Sequence, residues 1–189
     1  MYVFKKKYFL IIESIKDINL KNIKKRHKFI IIYRNKKNLE QKSDILKFRN
    51  ECKQKAADFY IANDFRLATY LSSDGIYLSS HNKSFKALSL KRSNFHIIGS
   101  AHSQKEIYIK IRQGCKSIIL SKLFEVNYDK KAPFLGVIRF RNFLRINKNL
   151  IPLGGINLKN INKLNGIRCE GFALMSEIKK KPTIIRRLF

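Results

Sequence analysis

The sequence predicts an α/β fold, a compact (β/α)8 TIM barrel occupying residues 1–189 as a single domain, and three observations carry that expectation. Eight short apolar runs recur along the chain, stretches with helical spacing lie between most of them, and 189 residues leave room for one core rather than two. A chain of this length buries roughly two-thirds or more of the surface it exposes when unfolded.

The runs are residues 8–12, 29–33, 58–62, 75–78, 96–99, 117–120, 150–154 and 171–175, each rich in Ile, Phe, Tyr or Leu and each ending in a polar or glycine-bearing step. Largely apolar character over four or five residues suits strands buried on both faces of a parallel sheet. Between them, residues 43–55 space Ile45, Phe48 and Cys52 as one face of a helix, and residues 104–113 do the same with Ile107 and Ile111. Strand then helix, repeated, is the pattern of a parallel α/β sheet. Eight units favour closure into a barrel. Since such barrels typically take about 250 residues, the loops and some helices must be minimal. An open doubly wound sheet is the structural alternative, but no GxGxxG follows the first strand. The tail, residues 179–189, is expected outside the last strand.

Composition narrows the function classes. A hydrophobic content of 44% argues against disorder despite 29% charged residues. Cys52, Cys115 and Cys169 are widely spaced, odd in number and free of any CxxC pairing, so they are expected as buried or idle thiols in a reducing cytoplasm. The opening lysines and apolar run resemble a signal peptide until Glu13 and Lys16 interrupt them. No stretch approaches the roughly 20 apolar residues of a membrane helix, so no membrane partner is expected. The net charge of +28 would attract any polyanion. Its lysines are spread along the whole length, however, which suits a solvated, composition-driven surface better than a specific nucleic-acid site.

In such barrels the working groups project from the C-terminal ends of the strands. Arg34 and Lys36 follow the second run, Asn63 and Asp64 the third, Ser79 and Ser80 the fourth, and Ser100, His102 and Ser103 the fifth. Gly154, Gly155, Ile156 and Asn157 follow the seventh, and Met175, Ser176 and Glu177 the eighth. Gly154 and Gly155 would let a phosphate approach backbone N–H groups, helped by a following helix N-terminus; a tight turn without ligand explains the same pair. Arg34 and Lys36 can neutralise a second anion, although paired cations are common in so basic a chain. Asp64 can ligate magnesium, pair with Arg34 or cap a helix. His102 can act as general acid or base, or serve as a cap or packing group.

Tyr33-Arg34-Asn35-Lys36, Ala62-Asn63-Asp64, Asp74-Gly75-Ile76-Tyr77-Leu78, Ile98-Gly99-Ser100-Ala101-His102-Ser103, Leu153-Gly154-Gly155-Ile156-Asn157 and Gly171-Phe172-Ala173-Leu174-Met175-Ser176 follow one another along the chain. In this order and spacing, over residues 29–178, the chain resembles the thiamine phosphate synthase/TenI family. The resemblance implies a barrel that joins a pyrimidine pyrophosphate to a thiazole phosphate, releasing pyrophosphate and forming thiamine phosphate. It implies that Arg34, Lys36 and Asn63 hold the pyrophosphate and that Asp64 binds magnesium. Ser100 would face the pyrimidine, and Gly154, Gly155, Met175 and Ser176 would hold the thiazole phosphate. Lys83 stands where synthases place a second magnesium carboxylate, and Lys130 or Lys131 would reach the pyrophosphate from an altered loop.

The TenI branch tautomerises the thiazole phosphate carboxylate with a histidine, and His102 falls at that place. A third alternative, from another class, is a non-catalytic basic barrel that binds nucleic acid. It requires clustered cations with exposed aromatic side chains.

Overall fold

The computed structural model describes residues 7–35, 40–90, 95–126, 131–175 and 178. Eight parallel strands close into a ring in sequence order, each hydrogen-bonded to the next and β1 to β8. They are β1 (Lys7–Ile12), β2 (Phe29–Tyr33), β3 (Asp58–Ala62), β4 (Gly75–Leu78), β5 (His96–Ala101), β6 (Ser117–Ser121), β7 (Leu150–Leu153) and β8 (Gly171–Leu174). Strands two to four match the expected runs. β5 and β6 continue past theirs into Ser100, Ala101 and Ser121, and β7 and β8 stop one residue sooner.

Closure explains the apolar composition of the strands. Alternate side chains point to opposite faces, and in a closed barrel both faces are dry. Phe9, Ile11, Ile30, Ile32, Tyr60, Tyr77, Ile98, Ile119, Ile151 and Ala173 fill the lumen. Tyr8, Leu10, Ile12, Phe29, Ile31, Phe59 and Phe172 pack outward under the connecting segments. β2 therefore shows no polar alternation, because all five of its residues are buried.

Among the described residues four α-helices are formed: α1 (Lys42–Gln54), α2 (Phe65–Tyr70), α3 (Gln104–Arg112) and α4 (Gly136–Ile146). Short 3-10 turns replace a helix between β1 and β2, β4 and β5, and β7 and β8. This is how a short chain still completes eight strands. α1 buries Ile45, Phe48 and Cys52, the face its spacing predicts. α3 departs from expectation: Ile107 is buried, but Ile111 is exposed and Lys110 lies inward in its place.

Asp74, at the start of β4, locks several elements together. Its Oδ2 accepts the Phe59 N–H at 2.7 Å, and its Oδ1 accepts from Arg49 of α1 at 3.0 Å. Its backbone bonds β3 through the Phe59 carbonyl and meets the His96 N–H that opens β5. The Arg49 guanidinium, largely buried, also donates to the Ser72 carbonyl. Truncating Asp74 strands that cation, and the cost is reduced because the Asp74 side chain is 36% exposed. Asp74→Ala is expected to lower stability by about 1–3 kcal/mol in denaturant unfolding, while activity measured well below the melting temperature is retained.

Candidate functional site

Strand alternation aims Arg34, Ser79, Ser100, His102, Ser121 and Met175 towards the C-terminal mouth. At its centre lies Tyr77, whose ring belongs to the lumen. The Tyr77 and Ser100 hydroxyls share a hydrogen bond, and the Arg34 charge, just past β2, acts on the phenol. Burial raises the Tyr77 pKa, while Ser100 and Arg34 act in the opposite direction. Tyr77 thus stays a neutral phenol able to donate a proton in a hydrogen bond. Arg34, Tyr77 and Ser100 form one cluster of a cation and two hydroxyls on an apolar floor.

Beside it, Asn63 adopts a left-handed backbone conformation (φ 59°), which asparagine tolerates better than most residues. Its Oδ1 accepts from the Ser79 N–H and from Asn82 Nδ2, each at 3.0 Å, and its Nδ2 donates to Ser79 Oγ at 3.1 Å. The carboxamide therefore ties the β3 and β4 loops, and one amide hydrogen remains for a ligand. Asp64 caps α2: Oδ1 accepts the Leu67 N–H at 2.9 Å. Asp64 also lines a cleft of about 600 Å³ with Asn63, Arg66, Lys86 and Ser89. No group of three or more metal-ligating side chains forms among the described residues. Nor does Lys83 face the asparagine: it is exposed, and Asn82 occupies that place.

His102 stands exposed one residue beyond β5, with Nδ1 2.9 Å from Ser121 Oγ at the end of β6. Its backbone N–H donates to Glu106 Oε2 at 2.7 Å, while Ser103 caps α3 through the Glu106 N–H. Capping thus falls to Ser103, and the His102 ring is left at the rim.

Gly154 and Gly155 have φ of 102° and 66°. A Cβ on Gly155 would overlap the carbonyl oxygens of Phe124 and Glu125, so this glycine is required by the close approach of the β6 loop. The amides of Gly155 and Ile156 donate no backbone hydrogen bond among the described residues. One expectation is corrected here. No α-helix follows, only a 3-10 turn at Ile161–Gly166, so the loop amides act without a helix dipole. Met175 packs against the lumen cluster just past β8. Lys36, Lys130 and Ser176 lie outside the described residues.

With this geometry in view, the comparisons with known proteins are decisive about kinship. The family model described as thiamine monophosphate synthase matches residues 12–178. The chain belongs to the thiamine monophosphate synthase family. Similar sequences include the thiamine-phosphate synthases of Flavobacterium johnsoniae, 29% identical over 72% of this chain and 70% of that protein, and of Clostridioides difficile, 24% identical over 76% and 69%. Among solved structures, a thiamine phosphate pyrophosphorylase from Pyrococcus furiosus shares the fold, with a TM-score of 0.72 at 15% identity over 97% of this chain and 95% of that one.

The family barrel also has groups that sequence reasoning missed. Tyr77, in β4, and Ser121, at the end of β6, are not among the expected site residues. A second cavity of about 700 Å³ opens at the opposite, N-terminal end of the barrel, ringed by Lys7, Asp58, His96, Lys116 and Glu170. The mouth, where the strand ends converge, remains the candidate site.

Two measurements test this description. Gly155→Ala adds a clash to a left-handed backbone and is expected to cost about 1–3 kcal/mol in urea unfolding. Burial pushes the Cys52 and Cys115 thiols up to about 12. Because only the thiolate reacts, alkylation of either thiol, monitored by mass spectrometry, should be slow at pH 8 and accelerate as pH rises.

Proposed function

We infer that this chain is a thiamine biosynthesis transferase of the synthase type, joining hydroxymethylpyrimidine pyrophosphate to thiazole phosphate. In the reaction the bond from the pyrimidine methylene to pyrophosphate breaks, pyrophosphate leaves with the electron pair, and the thiazole nitrogen supplies the pair for the new C–N bond. The observation that carries the reading is a rim with two separate anion-holding groups: the Arg34 cation on one side and the Gly155 and Ile156 amides on the other. Two phosphorylated substrates need two such places.

The substrate roles are these. Arg34 and Lys36 hold the pyrophosphate, and Asn63 adds its remaining amide hydrogen. Lys130 adds a further cation to the pyrophosphate; Ser100 and Tyr77 face the pyrimidine, while Gly154, Gly155, Met175 and Ser176 hold the thiazole phosphate. Asp64 would hold a magnesium ion through a carboxylate oxygen, together with the substrate phosphates. Magnesium would neutralise charge on the departing pyrophosphate. The protein's own contribution is to orient the two substrates and to hold the leaving group in place with preorganised donors.

The tautomerase reading rests on His102, whose Nδ1 is engaged by Ser121 while Nε2 is left for a substrate proton. The nucleic-acid reading is less economical, because Phe9, Phe29, Phe59, Tyr60 and Phe172 are core rather than a stacking platform. We place the enzyme in the cytoplasm; among the described residues no helix is long and apolar enough to cross a membrane.

Thiamine phosphate formation is the direct test, measured with and without magnesium at near-physiological salt. Asp64→Asn should lower magnesium-dependent turnover at least 100-fold and His102→Ala less than 10-fold. The reverse ranking, with conversion of the thiazole tautomer by the wild type, would establish the tautomerase.

A further inference from the structure

Lys110 is the one fully buried lysine among the described residues, with 0% of its surface exposed. Its Nζ donates to the Ser79 carbonyl at 2.7 Å, the Asn82 carbonyl at 2.7 Å and Gln113 Oε1 at 2.9 Å. All three partners are acceptors only, so the nitrogen must supply three hydrogens and is an ammonium. All three are also uncharged. Gln113, equally buried, gives its Nε2 hydrogens to the Asn82 carbonyl at 3.0 Å and the Ser84 carbonyl at 2.8 Å. Gly99 makes room for this arrangement, since a Cβ there would lie 2.8 Å from Lys110 Cδ and from Cys115 Sγ.

A burial this costly needs a return. The ammonium draws the carbonyls of Ser79 and Asn82 towards α3. In a trans peptide the N–H points opposite to its carbonyl, so the N–H groups of Ser80 and Lys83 are turned away from α3. Neither has a backbone partner among the described residues. The same loop meets Asn63 at the mouth through Ser79 and Asn82. A cation behind a row of peptide dipoles, with their positive ends presented forward, is an electrostatic arrangement suited to an anion.

We propose that Lys110, supported by Gln113, is a positioning residue that holds loop 79–84 so that the Ser80 and Lys83 amides receive the pyrophosphate group. The inference rests on the synthase reading for the identity of the anion. It assigns the loop's role to its backbone, and the Lys83 side chain is secondary.

The test is calorimetric titration of inorganic pyrophosphate and, separately, thiazole phosphate into the full chain, with steady-state kinetics alongside. Lys110→Met should weaken pyrophosphate at least 10-fold and raise KM for the pyrimidine pyrophosphate similarly, while thiazole phosphate affinity changes less than 2-fold. Gln113→Leu should act in the same direction with a smaller effect, and it carries the test if Lys110→Met does not fold. Equal weakening of both ligands, or wild-type pyrophosphate affinity in the variants, would overturn the proposal. Wild-type protein that binds pyrophosphate in this Lys110-dependent way yet makes no thiamine phosphate would refute the synthase reading and leave the loop's role standing.

Discussion

Pairing of β1 with β8 is the interaction on which everything else depends. Lys7 to Leu10 lie in register with Gly171 to Leu174, and this one ladder turns an open sheet into a ring. Without it, the lumen side chains Phe9, Ile11 and Ala173 would face water along an exposed edge, as would the unpaired backbone of both strands. Gly171 marks how close the closure is, since a Cβ there would overlap the Lys7 carbonyl oxygen. Closure also gathers eight strand ends at one mouth, so residues more than a hundred positions apart share a site.

The polar architecture is layered around that mouth. Long polar side chains fix the loops that surround it. Glu40 is one such anchor. It accepts from Ser14 Oγ at 2.6 Å, from the Ile15 N–H at 2.9 Å and from the Tyr33 hydroxyl, joining the segments after β1 and β2. The Lys110–Gln113 pair does the equivalent for the loop after β4. Both are charged groups with satisfied hydrogen bonds, which is the condition under which burying charge is tolerated. Their effect is to tie these loops to the body of the barrel.

Much of the fold was legible because the strands are apolar on both faces, and that pattern depends on composition rather than on distant contacts. Residues 29–33, 58–62 and 75–78 are strands where the apolar runs begin and end. The pattern was less informative at 100, 101 and 121, where Ser and Ala continue a strand whose inward side has reached the polar mouth. Arg34, Asn63, Asp64, Ser100 and His102 could be placed at the rim from their positions after strands. Their partners could not, because hydrogen bonds such as Ser121 to His102 join segments whose approach is set by barrel closure.

The sequence by itself determined the eight strands and their order, since both follow from local periodicity and chain length. Only the tertiary structure decided which face of α3 turns inward, and with it that Lys110 rather than Ile111 is buried. Only it showed that Tyr77 meets Ser100 and Arg34, and that Gly155 is demanded by the Glu125 carbonyl. The physical reason is common to all three. Periodicity reports which side of an element is dry, whereas the partner met on that side is fixed by the angle and register at which elements pack, and those are properties of the closed ring.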